Sequence, residues 1–254
     1  MKRLIPMLIA LALVAVACGD DGGSGPGATT AAPTEIPSPS DNSAGSAPQT
    51  GASFAVLFTT ADGLALDATV YPAGSDWVVL AHMRPADKTS WIELATLFQN
   101  EDYSVLAYNN RGYGESDGDR EPFDLLIDAA AALEYATAQG ARGIAFGGAS
   151  MNGATAMTLG AGNDFDAIFL LSGVPSFPSA PDASDFLTDV EEPILFVAAE
   201  DDGSAASDAR SYADAAPLSE LIVLAAGGHG TSMLEADPTL AARIVEWVMG
   251  ASNS

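Results

Sequence analysis

Cysteine, histidine and positive charge are all scarce in this 254-residue chain, which has one Cys, two His and nine Lys plus Arg against 34 Asp plus Glu, a formal net charge of −25. The shortage of cations excludes a nucleic-acid partner, because duplex affinity comes from basic side chains that displace counterions. One Cys and two His cannot build a four-ligand Cys/His zinc site, so no metal is expected. The absence of a G-x-x-x-x-G-K-[ST] run excludes P-loop chemistry. A lone Cys also rules out an intramolecular disulfide. What is present is an apolar fraction of 48% with only 17% charged residues, which fits a packed body rather than a disordered acidic chain.

Local composition divides the chain. Lys2 and Arg3 precede a fourteen-residue apolar run, Leu4 to Ala17, which is followed by Cys18. Spanning a bilayer takes roughly 20 residues, so the run reads as an export signal covering residues 1–17. Its end, Ala15-Val16-Ala17-Cys18, resembles a bacterial lipobox, with Ala15 where Leu is usual. That resemblance implies acylation of Cys18 as the mature N-terminus and anchorage to the outer face of the cytoplasmic membrane. Ordinary cleavage at a small-residue site, giving a secreted protein, is the alternative.

Of the 35 residues from 19 to 53, 28 are Gly, Pro, Ser, Thr or Ala, and Ile36 is the only large apolar side chain. Such a stretch buries too little surface to offset its ordering entropy, so 18–53 is expected to be the lipobox Cys and a disordered tether with a reach of roughly 30 Å. Loss of Lys2 and Arg3 with the signal deepens the charge from −25 to −27. An anionic membrane repels such a body, so membrane contact is expected only through lipid on Cys18.

From 54 to 250 the pattern alternates. Phe54 to Thr59 and Leu64 to Tyr71 read as a hairpin around Ala61-Asp62-Gly63. Short continuous apolar runs follow at Trp77 to Ala81, Val105 to Tyr108, Gly143 to Phe146, Ile168 to Leu171, Ile194 to Ala198 and Leu221 to Leu224, as in a parallel sheet covered on both faces. Helical spacing links Trp91, Leu94, Ala95 and Phe98; Phe123, Leu126, Ile127 and Ala130; and Leu240, Ile244, Trp247 and Val248. One α/β domain with helices on both faces is expected, as a monomer.

The chemistry concentrates where strands end. Gly148-Ala149-Ser150-Met151-Asn152-Gly153 turns from an apolar strand into a small-residue helix. It resembles the G-x-S-x-G nucleophile elbow, with Asn152 in the second Gly place and Gly153 one residue late. Glu200-Asp201-Asp202 follows a later strand and Gly227-Gly228-His229-Gly230 the last one. Serine, acid and histidine in that order, each at a strand end, resemble the α/β-hydrolase family. The resemblance implies Ser150 as nucleophile, His229 as general base and Asp202 as the acid that orients the imidazole, with Asp201 or Glu200 as second choices.

Two further segments fit the same family. His82-Met83-Arg84-Pro85 resembles its H-G-x-P oxyanion segment with Met83 replacing Gly, which implies the backbone N–H groups of Arg84 and Met151 as oxyanion donors. Asn109 to Ser116 resembles the D-x-R-G-x-G-x-S loop, with Asn109 in the Asp place, and reads as scaffold. The resemblance spans residues 54 to 250 and implies a hydrolase of small carboxylic esters with no cofactor.

Residues 172–192 are too few for the cap domain of many relatives, so an open site without a large lid is expected. Arg84 could contact an acidic substrate group or pair with a carboxylate of the chain. Met83, Met151, Trp91 and Met233 could line a pocket or fill the core. The competing reading is a non-catalytic surface lipoprotein that binds a ligand or partner, favoured by the side chains of Asn152 and Met83 where the family keeps backbone clear.

Overall fold

The computed structural model describes residues 51–252 except 179 and 186. The export signal, Cys18 and nearly all of the expected tether lie outside the described residues.

Eight strands form one sheet: β1 (Phe54–Thr59), β2 (Ala65–Tyr71), β3 (Asp76–Ala81), β4 (Tyr103–Tyr108), β5 (Gly143–Ala149), β6 (Ala167–Leu171), β7 (Ile194–Ala199) and β8 (Ser219–Leu224). Their order across the sheet is β1-β2-β4-β3-β5-β6-β7-β8. β1 and β2 form the antiparallel hairpin, β2 is antiparallel to β4, and every pairing from β4 to β8 is parallel. Each expected strand is therefore present, several of them beginning a residue or two earlier than the apolar run, where Tyr103, Ser104 or Ser219 supplies the pairing backbone.

Side chains alternate between two cores, as the two-residue strand period requires. Val79, Phe146, Ile168 and Phe196 face one way, against α2 (Leu125–Ala138), α3 (Asn152–Gly160) and α4 (Ala205–Ala215). Val78, Leu80, Phe169 and Val197 face the other way, against α1 (Ile92–Asn100) and α6 (Leu240–Ala251). A short α5 (Ser232–Ala236) follows the last strand. Cover on both faces leaves β4, β6 and β7 buried at every position, and all their side chains but Ser104 and the hydroxyls of Tyr103 and Tyr108 are apolar.

Two expectations need correction. Phe123 lies before α2 and packs against Phe177, and the buried face of α2 runs through Leu125, Ala129, Ala132 and Ala136, with Leu126, Ile127 and Ala130 only partly buried beside it. Trp91 closes a 3-10 turn (Lys88–Trp91) ahead of α1. Among the described residues, the segment after β6 has an isolated bridge between Phe177 and Ala180 and the 3-10 turns Ala183–Asp185 and Leu187–Asp189, and no cap domain, as expected.

The parallel register puts the functional ends together. Ala81 pairs with Gly148, Ala149 with Leu171, and Ala199 with Leu224, so β3, β5, β6, β7 and β8 all finish on one rim. Open α/β sheets bind ligands at this edge.

Candidate active site

Ser150 sits at the tip of a sharp turn between β5 and α3. Its φ is 49°, a left-handed conformation costly for a residue with a Cβ. The surroundings hold it there: its N–H donates to Leu171 O at 3.0 Å, and its carbonyl accepts from Gly153 N at 2.8 Å and Val174 N at 3.2 Å. The turn also demands bare backbone. A Cβ on Gly148 would lie 2.8 Å from Asn152 O, and one on Gly153 would lie 2.6 Å from Gly173 Cα. The late glycine is thus the one the close approach requires.

Asn152, directly before Gly153, is fully buried, and its Nδ2 donates to the carbonyl of His82 at 2.7 Å. Met83 is also turned inward: its thioether occupies the space a Cβ on Gly230 would need. Neither side chain lies free at the rim. Met83, Trp91 and Met233 belong to the core beneath α1 and α6, and Met151 to a small cluster with Tyr113 and Leu125, so core packing accounts for all four.

His229 joins the serine to an acid. Its Nε2 stands 2.7 Å from Ser150 Oγ, and its Nδ1 stands 2.8 Å from Asp202 Oδ2 and 3.0 Å from Oδ1. A carboxylate only accepts, so Nδ1 carries the proton and Nε2 is the acceptor that faces the serine hydroxyl. The neighbouring acids are separated by what they touch. Asp201 Oδ1 accepts from the N–H groups of Gly227 and Gly228, both at 3.0 Å, and so fixes the turn before His229. Glu200 forms an exposed ion pair with Arg210.

One participant has no counterpart in the sequence reading. Ser172, at the end of β6, also has a positive φ of 50°, and its buried Oγ accepts from Gly230 N at 3.0 Å. It ties the loop of His229 to β6, the strand next to the one that ends at Ser150. A Ser between an apolar run and a Gly was its only sequence signal.

His82 does not touch Ser150, His229 or Asp202. It is fully buried and lies edge-on to Tyr113, with ring centroids 4.6 Å apart. Its Nε2 faces the N–H of Asn110 at 3.1 Å, which can only donate, and its Nδ1 faces the carbonyl of Met83 at 2.9 Å, which can only accept. The ring is thus neutral, with its proton on Nδ1. Burial lowers its pKa to about 4, against the opposing pull of the Met83 carbonyl and Asp87. The ring fixes the path of the chain into Arg84. Among the described residues the backbone N–H groups of Arg84 and Met151 have no hydrogen-bond partner.

The loop after β4 is scaffold. Arg111, buried, donates from its backbone N and its Nε to Asp128, both at 2.9 Å, and reaches Asp62 at 3.0 Å. Asn109 donates to Asp67, which pairs with Lys88. Desolvation raises the pKa of Asp128 in spite of the arginine. A groove of about 510 Å³ lined by Pro193, Pro217, Leu218, Ser219, Glu220 and Trp247 lies at the opposite ends of β7 and β8; it holds no histidine, and its Ser219 hydroxyl donates to Ala213 O.

The sequence profile of the Alpha/beta hydrolase family matches residues 78–190, which run from β3 through the serine turn to the end of the Leu187–Asp189 turn. An esterase of Pyrococcus furiosus superposes with a TM-score of 0.66 at 16% identity, covering 78% of this chain and 91% of its own. The chain has the α/β-hydrolase fold. An esterase of Exiguobacterium antarcticum gives a TM-score of 0.68 at 15% identity, over 77% of this chain and 100% of that one. Est1E of Butyrivibrio proteoclasticus, solved with ferulic acid bound, gives 0.64 at 16% identity, over 76% and 96%. No curated protein sequence matches this chain significantly.

Proposed function

We propose that the protein is an exported serine hydrolase that cleaves small carboxylic esters through an acyl-serine intermediate. The observation that carries the proposal is the unbroken series Ser150 Oγ, His229 Nε2, His229 Nδ1 and Asp202 carboxylate at 2.7 and 2.8 Å, headed by a serine in a strained turn. Ser150 is a poor nucleophile unaided. As its Oγ attacks the ester carbonyl, His229 Nε2 takes the hydroxyl proton, and Asp202 stabilises the imidazolium that results. The proton then passes to the departing alcohol. Water repeats the sequence on the acyl-Ser150 and releases the acid.

The negative charge that develops on the carbonyl oxygen needs fixed donors. The backbone N–H groups of Met151, which directly precedes α3, and Arg84 fill that role in this reading; each such donor is typically worth ~3 to 4 kcal/mol in the transition state. The fold similarity to esterases and the absence of a cap domain favour solvent-reachable esters with short acyl groups. The rival reading, a binding protein on an inert scaffold, rested on Asn152 and Met83, and both side chains are taken up by packing and by the His82 carbonyl. Turnover of 4-nitrophenyl acetate tests the proposal: Ser150→Ala or His229→Ala is expected to lower kcat by ~10⁴ to 10⁶. Turnover at the wild-type level in Ser150→Ala would sink it.

The same reading makes Cys18 the lipidated first residue of a mature, monomeric protein held at the outer face of the cytoplasmic membrane. Its support is the order of Lys2 and Arg3, the apolar run and the single Cys. At ~0.8 kcal/mol per buried CH₂, stable attachment takes two or more acyl chains. Mass spectrometry of the mature N-terminus decides the point. Acylated Cys18 is expected, and an unmodified start at another residue rules lipidation out.

A further inference from the structure

Seven basic residues follow Phe54, and their partners divide them. Lys88, Arg111, Arg210 and Arg243 each pair with a carboxylate. Arg84, Arg120 and Arg142 pair with none among the described residues, in a body where carboxylates outnumber cations several-fold. Arg142 stands at the start of β5, the far end of the sheet from Ser150. The other two flank one aromatic cluster beside Ser150.

The guanidinium carbon of Arg84 lies 5.5 Å from the centroid of Phe123, and that of Arg120 lies 4.3 Å from the centroid of Tyr113. Both arginines are exposed. Phe123 and Phe177 meet edge to face at 4.8 Å and pack on Tyr113, Leu125 and Met151. Met151 directly follows Ser150, and Tyr113 rests against His82, two residues before Arg84. The cluster is therefore continuous with the chain on both sides of the expected oxyanion position. Stacking on a ring leaves the edge of a guanidinium open, and that edge is a donor fork matched to a carboxylate. Arg120 spends only its Nε, on Gly112 O at 3.1 Å. Asp119 and Glu121 flank Arg120 in the chain yet pair with neither arginine. Both cations act on Tyr113: burial dominates and raises its pKa, while Arg120 and Arg84 work to lower it.

We propose that this patch reads the substrate. The ester cleaved at Ser150 carries a free carboxylate on a flat apolar body, the body against Phe123 and Phe177 and the carboxylate on Arg84 and Arg120. The net charge of the protein repels an anion at long range, but charges are screened beyond about 8 Å at physiological ionic strength, so the two nearby arginines decide the interaction at the site. The inference deepens the serine-hydrolase reading and rests on it.

Matched substrates test it: 4-acetoxybenzoate and its neutral methyl ester have the same acyl group and the same aromatic body. The ratio of kcat/KM for the acid over the methyl ester is expected to fall about tenfold or more in the Arg84→Gln/Arg120→Gln double variant, the usual scale for loss of a charge-assisted hydrogen bond. Arg142→Gln should keep the wild-type ratio. A ratio equal in the double variant and wild type overturns the proposal, as does an equal fall in Arg142→Gln. Each single variant is read in the same way, so a misfolded double variant does not remove the test. Binding of 4-hydroxybenzoate and 4-hydroxybenzamide to Ser150→Ala, by calorimetry, needs no turnover. Tighter binding of the acid that vanishes with both arginines supports the anion site even if no ester is cleaved, in which case the hydrolase reading alone fails. Equal affinity for acid and amide overturns the anion site.

Discussion

Asn152 Nδ2 donates to the backbone carbonyl of His82 at 2.7 Å, across 70 residues of chain. The bond ties the first turn of the helix that follows Ser150 to the strand end that leads into Arg84. It thereby sets the spacing of the two backbone donors assigned to the oxyanion. Because Asn152 stands where the elbow pattern has a glycine, this protein fixes that spacing with a side chain.

Removal of the amide should therefore act on both folding and chemistry. Asn152→Ala is expected to lose about 1 to 3 kcal/mol of stability, the scale of a buried hydrogen bond with one partner deleted. Its kcat should fall about tenfold or more with KM little changed, because a displaced oxyanion donor is felt mainly in the transition state. Urea unfolding and ester kinetics check the two parts. A stability loss with unaltered kcat would show that the bond serves the fold alone.

The two adjacent aspartates should separate by the kind of damage they cause. Asp202→Asn leaves the geometry nearly intact but no longer holds the Nδ1 proton against a negative charge, so kcat should drop by ~10³ to 10⁴. Asp201→Ala leaves the N–H groups of Gly227 and Gly228 without their acceptor and loosens the turn, for which about a tenfold loss is expected. The reverse order of severity in steady-state assays would move the acid's role to Asp201.

Acid should weaken the fold through His82. Its folded pKa, about 4, lies below the 6.5 of an exposed imidazole, so the unfolded chain binds the proton first. The stability tied to the neutral ring is fully present above pH 6.5 and is lost as the pH falls toward 4, about 3 kcal/mol in all. Chemical unfolding of wild type and His82→Gln at pH 7, 6, 5 and 4 reads the difference. A shallower pH dependence is expected in the variant, and parallel curves would contradict a buried neutral His82.

The strands were legible because both faces of the sheet are covered, which writes β6 and β7 as unbroken apolar runs and β4 as one from Val105 onward. α4 was not, since its buried side is only Ala206, Ala209 and Tyr212 among Ser, Asp and Arg, too small a stripe to stand out. Phe123 matched the helical spacing by chance and lies before the helix. At the site, the order of Ser150, the acidic run and His229 was readable. The choice among Glu200, Asp201 and Asp202 was not, because three consecutive side chains leave a turn in directions that only the backbone fixes. Ser172 and the pairing of Arg84 with Phe123 arise from segments distant in the chain, where no local pattern forecasts contact.

The most direct test of the central claim is covalent labelling with a fluorophosphonate, followed by peptide mass spectrometry. An activated serine displaces fluoride and keeps the phosphonyl group, whereas an ordinary surface serine does not react. The account predicts one adduct, on the peptide containing Ser150, absent from Ser150→Ala and strongly slowed in His229→Ala. An unlabelled wild-type protein, or an adduct on another residue that persists in Ser150→Ala, would contradict it.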